Sequence, residues 1–249
     1  MALIHSFESS GNWLFRRRSY LPLILFLLAI PAVFTAGYGL MFPLKATIIG
    51  WAGILISAIG LAVRSYTIGT TPQGTSGRNT EEQVAESLNS TGIYSIVRHP
   101  LYLGNYLMWI GIVIYTLNFS FVIIVSLMYW LYYERIMFAE ERFLEKKFGQ
   151  AYLDWSLKAP AFIPAFKNFI PPVVPFSFIS VLRREYSGFF ATVLGFVFVD
   201  VLRNISINAD FEKKYIPDQV IVIVLAGMLT LILRTLKHNT NLLNESGRS

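Results

Sequence analysis

The sequence predicts an all-α fold, a polytopic membrane bundle of about six transmembrane helices. Three observations carry that expectation. Of the 249 residues, 54% are hydrophobic and 14% charged, against about a quarter charged in soluble domains. The apolar residues gather in continuous runs rather than in the alternating or one-faced patterns of soluble strands and helices. Lysine and arginine flank those runs, and nearly all fall on one side when the runs are threaded in order.

Crossing a hydrocarbon core of about 30 Å takes about 20 helical residues. Six runs qualify, at 20–42, 46–68, 101–117, 119–138, 187–204 and 218–236. The first holds Pro22 and Pro31, which a membrane helix tolerates where neighbours satisfy the freed carbonyls. It follows Arg16-Arg17-Arg18 and lacks a small-residue cleavage site, so an uncleaved span is expected rather than a signal peptide. The third and fourth runs are separated only by Asn118 and should form a tight antiparallel hairpin. The third is short for a full span and could begin inside a protein-lined cavity. With the N-terminus inside, six spans return the C-terminus inside. Of the 21 Lys and Arg residues, Lys45, Arg203, Lys213 and Lys214 then fall outside, which places both termini in the cytoplasm.

One domain is expected over 1–249. The absence of Cys excludes disulfides, thiolate nucleophiles and zinc–thiolate sites, and no metal site is expected. The net charge is +6, but its short basic patches flank apolar runs, which points to topology and lipid headgroups and away from nucleic acid. No internal repeat of the kind built into many transporters is visible. Nothing in the sequence sets the oligomeric state.

Two inside segments are too long to be mere connectors. Residues 69–100 hold a Gly/Thr/Ser/Asn-rich stretch and then a helix-like stretch from Glu81 to Leu88. Residues 139–186 begin with an amphipathic helix, Glu140 to Trp155, whose apolar stripe should pack on the bundle, and continue into proline-rich chain. The densest chemistry lies at Gly92-Ile93-Tyr94-Ser95-Ile96-Val97-Arg98-His99-Pro100-Leu101-Tyr102-Leu103-Gly104-Asn105. Pro100 suits a first helical turn, and the backbone N–H groups beyond it offer a place for an anionic group. An interfacial aromatic belt would also contain Tyr and Arg, but it needs no Arg-His-Pro in sequence. A second cluster, Arg135, Glu140 and Glu141, sits where the fourth run ends, at a depth where charges need partners or a wet cavity.

The pattern Gly92-x-Tyr94-x-x-x-Arg98-His99-Pro100-x-Tyr102-x-Gly104, with Glu140-Glu141 and Phe148-Gly149-x-x-Tyr152, resembles the isoprenylcysteine carboxyl methyltransferase and phospholipid methyltransferase superfamily of integral membrane enzymes. The resemblance covers about residues 60–165, as a catalytic core, and leaves two additional C-terminal spans over 187–236. It implies S-adenosylmethionine in a pocket facing the cytosol and a lipidic substrate entering from the bilayer. By position, the cofactor contacts would be Glu86, Ser87, Leu88, Asn89, Tyr94, His99, Pro100, Leu101 and Tyr102, with Asn79 upstream in the same loop. Arg98, Arg135, Glu140 and Glu141 would serve the chemistry beside the acceptor. Two departures stand out: Glu86 occupies a position where carboxyl methyltransferases of this type often carry His, and Arg135 lies five rather than four residues before Glu140. On an ideal helix that turns the two about 140° apart, and a π-bulge would bring them back into line.

A sulfonium methyl is already activated, so the protein's task is mainly to align an acceptor with it. An anionic acceptor needs desolvation and a positive group to hold it, for which Arg98 and Arg135 are suited. An amine acceptor needs a base, for which Glu140 or Glu141 is available. The run of Arg64, Arg78, Arg98 and Arg135 favours a phosphorylated lipid headgroup, either a phospholipid amine or a lipid A-type phosphate, in a bacterial inner membrane. Carboxyl methylation of a prenylated cysteine is the alternative within the superfamily. An NADPH-dependent membrane sterol reductase is the rival enzyme, and a scaffold or transporter the non-enzymatic one.

Overall fold

The computed structural model describes residues 2–37, 43–72, 74, 83–207, 216–245 and 247–248. Its helices are α1 (Leu3–Arg17), α2 (Leu21–Phe34), α3 (Pro43–Gly69), α4 (Pro100–Tyr115), α5 (Phe119–Phe148), α6 (Gln150–Ser156), α7 (Phe178–Ile207) and α8 (Ile216–Asn239). Helices α3, α5, α7 and α8 are each long and apolar enough to cross a membrane. Helices α1 and α2 satisfy the same test together, as a pair bent by 68°, and α4 is a shorter apolar helix. The outer faces carry exposed Trp51, Leu55, Leu131, Leu225 and Leu231, as a hydrocarbon surround requires.

Four expectations are corrected. Helix α1 precedes the first anticipated span: its Phe7, Gly11 and Phe15 recur at helical spacing and pack on α5. The Cβ of any residue at Gly11 would meet the Arg135 carbonyl, and Phe7 sets its ring edge against Phe138 at 5.7 Å. Helix α5 runs ten residues past its anticipated end at 138, so the expected amphipathic helix 140–155 is the end of α5 plus α6. The break falls at Gly149, whose φ of 54° suits glycine. Helix α7 begins at Phe178 rather than 187, which draws Arg184 and Glu185 into the bundle. Finally, residues 83–88 are not helical; Glu81 lies outside the described residues.

The hairpin between α4 and α5 is as tight as the lone Asn118 implied. Asn118 caps α5 by accepting from the Phe121 N–H at 3.0 Å, and its amide donates to the Ala32 carbonyl at 2.9 Å, tying in α2. Leu117 takes the left-handed conformation that reverses the chain.

Helices α3 and α4 approach through glycines seven residues apart on each. A Cβ at Gly60 would lie 2.6 Å from the Gly104 carbonyl oxygen, and one at Gly53 would lie 2.5 Å from the Gly111 carbonyl oxygen. Membrane helices associate through such small residues because packing, rather than water exclusion, drives them together. Both tails return to the end of the bundle where α3 and α5 finish: Lys146 pairs with Glu8, and Arg248 donates to the Gly69 carbonyl.

The glycine contact makes a prediction. Gly60→Ala should destabilise the protein by about 1–3 kcal/mol through overpacking. Gly227→Ala, whose new methyl would meet Phe190 at 3.8 Å, should be close to neutral. Thermal unfolding of the two variants in one detergent checks the contrast.

Candidate functional site

The loop before α4 is built to hold a fixed shape. Gly92 adopts φ 60°, and its N–H donates to Ile170 at 2.9 Å. Ile93–Ser95 make one 3-10 turn, and the Ser95 hydroxyl accepts from the Ile170 N–H at 2.9 Å. The N–H groups of Arg98 and His99 donate to the Pro160 and Ala161 carbonyls. The proline-rich chain after α6 is therefore a strap along this loop. Trp155 of α6 completes it, its indole N–H donating to the Tyr94 carbonyl at 3.0 Å.

At the end of the loop, two carboxylates from α5 meet the start of α4. Arg98 forks onto Glu141, with Nε to Oε1 at 2.9 Å and Nη2 to Oε2 at 3.1 Å, and its Nη1 donates to the Ser156 and Ala159 carbonyls at 2.8 Å. His99 places Nε2 2.9 Å from Glu141 and Nδ1 3.4 Å from Glu140. The Tyr102 hydroxyl donates to Glu140 at 2.5 Å. Burial alone would lower the His99 pKa, but its hydrogen bonds to both carboxylates outweigh that and raise it.

Beside this network lies a cavity of about 550 Å³. Its polar end is lined by Ser87, Leu88 and Asn89 of the loop, with Tyr94, His99, Tyr102 and Glu140. The Asn89 amide nitrogen is buried there without a hydrogen-bond partner. The cavity continues along α4 as far as Met108 and Trp109, about 14 Å from Pro100 at 1.5 Å per residue. Its other wall is α7, through Arg184, Glu185, Ser187, Gly188 and Ala191. Arg64 of α3 closes the gap: it forks onto Glu185 at 2.6 and 2.8 Å and donates to Asn105 of α4 at 2.5 Å.

Of the residues singled out in the sequence, Ser87, Leu88, Asn89, Tyr94, Arg98, His99, Pro100, Leu101, Tyr102 and Glu140 line this cavity. Glu141 stands behind it, held by Arg98 and His99. Glu86 is exposed and lies outside the lining, its N–H bonded to the Gly74 carbonyl. Asn79 and Arg78 lie outside the described residues. Arg135 is not brought to the site. Helix α5 is unbroken from Phe119 to Phe148, so the π-bulge is absent, and the five-residue offset turns Arg135 onto α1. There its guanidinium lies 3.8 Å from the centre of the Phe7 ring. The sequence reading missed Arg18, Tyr133, Arg184 and Glu185, which line the cavity together with Asn105, the amide that ends the loop-to-helix motif. Arg64 was singled out for its charge, and the structure pairs it with the buried carboxylate of Glu185.

Residues 48–151 match the family model for phospholipid methyltransferases. Over 77 residues the chain is 34% identical to the protein-S-isoprenylcysteine O-methyltransferase of Schizosaccharomyces pombe, covering 31% of this chain and 33% of that protein. Over 94 residues it is 32% identical to the nickel-cobalt-cadmium resistance protein NccN of Alcaligenes xylosoxydans xylosoxydans, covering 38% and 41%. The chain thus spans between a third and two-fifths of the length of these curated relatives. No solved structure matches it significantly. The resemblance to the isoprenylcysteine and phospholipid methyltransferase superfamily is borne out over the matched segment, which runs from α3 to the start of α6 and leaves α1, α2, α7 and α8 outside.

The raised His99 pKa gives a pH prediction. A group whose folded pKa is raised stabilises fully below its unfolded value, about 6.5, and loses that contribution as pH rises through the folded value. The difference in thermal midpoint between wild type and His99→Gln should therefore be largest near pH 6 and shrink on the alkaline side. A difference that grew with pH would contradict a protonated imidazolium between the two carboxylates.

Proposed function

We propose that the protein transfers a methyl group from S-adenosylmethionine to a membrane-embedded lipid, with a phosphorylated headgroup as the favoured acceptor. The observation that carries this reading is the shape and lining of the cavity. One end is polar and adjoins the carboxylate network, the other is apolar, and the whole lies between helices that can sit in a bilayer. The lining brings Arg18, Arg64, Arg98 and Arg184 together with Glu140 and Glu185. The cationic excess suits an anionic headgroup.

The residues present fit the methyl donor. The unpartnered Asn89 amide is a buried donor that calls for an acceptor, and Ser87, Leu88, Tyr94 and the His99–Tyr102 turn surround the same space. When bound, S-adenosylmethionine would supply an electrophilic methyl on sulfur. The protein's own work is alignment and proton management. Glu140, fixed by Tyr102 and His99, faces the cavity and can take the proton of an amine acceptor. Glu141 is committed to Arg98 and His99 and acts by holding them. Four of the five N–H groups of Arg98 are bonded to Glu141 and to two carbonyls, which makes it a clamp on the loop rather than the acceptor's main cation. A phosphate oxygen would need no base, only exclusion of water and a positive wall.

Both tails return to the bundle end where α3 and α5 finish, the loop after α3 lines the cavity, and the positive-inside bias supports reading that end as the cytoplasmic face. A second reading, carboxyl methylation of a prenylated cysteine, draws support from the Schizosaccharomyces pombe relative; comparison of lipid extracts and prenyl-peptide assays separates the two. Mass spectrometry of lipids from cells with and without the gene should show an added methylene mass on a phospholipid or phosphorylated glycolipid.

Calorimetry on purified protein should show S-adenosylhomocysteine binding and no NADPH binding; NADPH binding alone would favour a reductase. Glu140→Gln should lower the turnover of an amine-bearing lipid by about a hundredfold or more, the usual scale of a lost general base. Its affinity for S-adenosylhomocysteine should change little.

A further inference from the structure

We propose that the groove between α1 and α5 on the outside of the bundle docks an anionic phospholipid. Arg135 receives its phosphate, and an acyl chain lies along Leu131, Leu127 and Ile124. The site rests on the membrane fold and is independent of the methyl-transfer reading. Arg135 and Glu140 leave α5 about 140° apart, so a lipid held here is not the acceptor in the cavity.

The Arg135 guanidinium lies 3.8 Å from the centre of the Phe7 ring, and its Nη1 reaches the Ser10 hydroxyl only at 3.5 Å, a long contact for a hydrogen bond. Its Nε is buried with no hydrogen-bond partner. None of the ion pairs among the described residues includes it. The cations further along the same face of α5 differ: Arg142 pairs with Glu145 at 2.6 Å, and Lys146 pairs with Glu8. Glu134 leaves the helix about 100° away. A charge in an apolar bundle needs a partner, and a guanidinium matches a phosphate.

Depth and face point to a lipid as that partner. From Phe119, the start of α5, to Arg135 is about 24 Å along the helix, against a hydrocarbon core of about 30 Å. An arginine just inside the boundary extends its head to the phosphate layer while its stem stays among acyl chains. Toward Phe119 the same face is bare: Ile124, Leu127 and Leu131 are exposed and recur at intervals of three and four residues that end on Arg135. On the other side α1 closes the column, where a Cβ at Gly11 would strike the Arg135 carbonyl and Phe7 meets Phe138. An anionic head with an apolar tail matches this arrangement. Inorganic phosphate would leave the apolar column unused, and a choline headgroup would set a second cation beside Arg135. The lipid would also fasten α1 to α5, and α1 adjoins the cavity through Phe15 and through Asn12, which accepts from Gln83 at 2.9 Å.

The test uses the full chain in phosphatidylcholine nanodiscs containing a minor share of phosphatidylglycerol, with native mass spectrometry reading the retained lipid. Wild type should enrich phosphatidylglycerol about fivefold over its share, the scale of one arginine at an anionic membrane surface. Arg135→Gln should lose that enrichment, and Arg135→Lys should keep part of it. Because the chain has no cysteine, Leu131→Cys can carry a single fluorophore beside the proposed acyl chain. Brominated phosphatidylglycerol should quench it more strongly than brominated phosphatidylcholine at equal mole fraction, and adding Arg135→Gln should abolish the excess. Unchanged enrichment in folded Arg135→Gln overturns the proposal, as does equal quenching by the two lipids with Arg135 in place. The quenching comparison decides the matter should Arg135→Gln fail to fold. Displacement of phosphatidylglycerol by inorganic phosphate, but not by chloride at equal ionic strength, would reveal a bare anion site and also overturns it.

Discussion

The rest of the site depends on the capture of two adjacent carboxylates on α5 by the junction between a loop and α4. Glu140 and Glu141 leave the helix one after the other, so they diverge by about 100° and meet different partners. Glu141 takes the Arg98 fork and one nitrogen of His99, while Glu140 takes Tyr102 and the other nitrogen. His99 bridges the pair, and the negative charge gathers near the N-terminus of α4, where the helix dipole favours it. Arg98 extends the same network to the carbonyls that end α6. Loop, strap, α4, α5 and α6 are thus fixed by one set of charged hydrogen bonds. Such buried networks rigidify when every member is satisfied, and rigidity is what aligning an acceptor with an activated methyl demands.

A second constraint operates deeper, where α3, α4 and α7 meet. The glycine contacts bring α3 and α4 so close that the Arg64 stem lies against Gly104: a Cβ there would meet Arg64 Cγ at 2.5 Å. Pressed into that channel, the guanidinium reaches across to α7 and finds Glu185. The backbone approach and the ion pair are therefore one device. Without the glycines, Arg64 could not lie flat between the helices, and Glu185 would be a buried charge without its fork, a state that costs far more than the pair contributes.

The fold was legible where it rested on apolar runs. Helices α3, α4, α5 and α8 begin within three residues of the expected positions, because hydrophobic thickness sets helix length. Misreadings came where a charge was taken as the end of a span. Arg183, Arg184 and Glu185 look like topology determinants in a hydropathy window, which cannot see that Arg64, 121 positions earlier, neutralises Glu185. Helix α1 was hidden for a related reason: its polar residues suggest a tail, although Phe7, Gly11 and Phe15 form a face for α5. The loop-to-α4 motif was legible because its members are neighbours in sequence. Arg135 was misplaced by a positional carry-over that the helix's own rotation contradicts. The offset of five residues already contained the answer, since an unbroken helix turns that side chain away from Glu140.

These two kinds of residue divide the cavity. Its polar end is written in contiguous sequence and lies within the segment shared with the phospholipid methyltransferase family. Its far wall is assembled from α3 and α7, whose paired residues Arg64 and Glu185 lie 121 positions apart in the sequence. A shared methyl donor would demand a constant geometry, and local sequence can encode that. An acceptor differs from lipid to lipid, and a helix added outside the shared segment can reshape that wall without disturbing the carboxylate network. The Arg64–Glu185 fork makes such an addition compatible with a bilayer. It balances the Glu185 carboxylate of α7 and, through Asn105, ties that helix to α3 and α4. Where α7 docks depends on that fork, and the fork depends on the glycines that let Arg64 through.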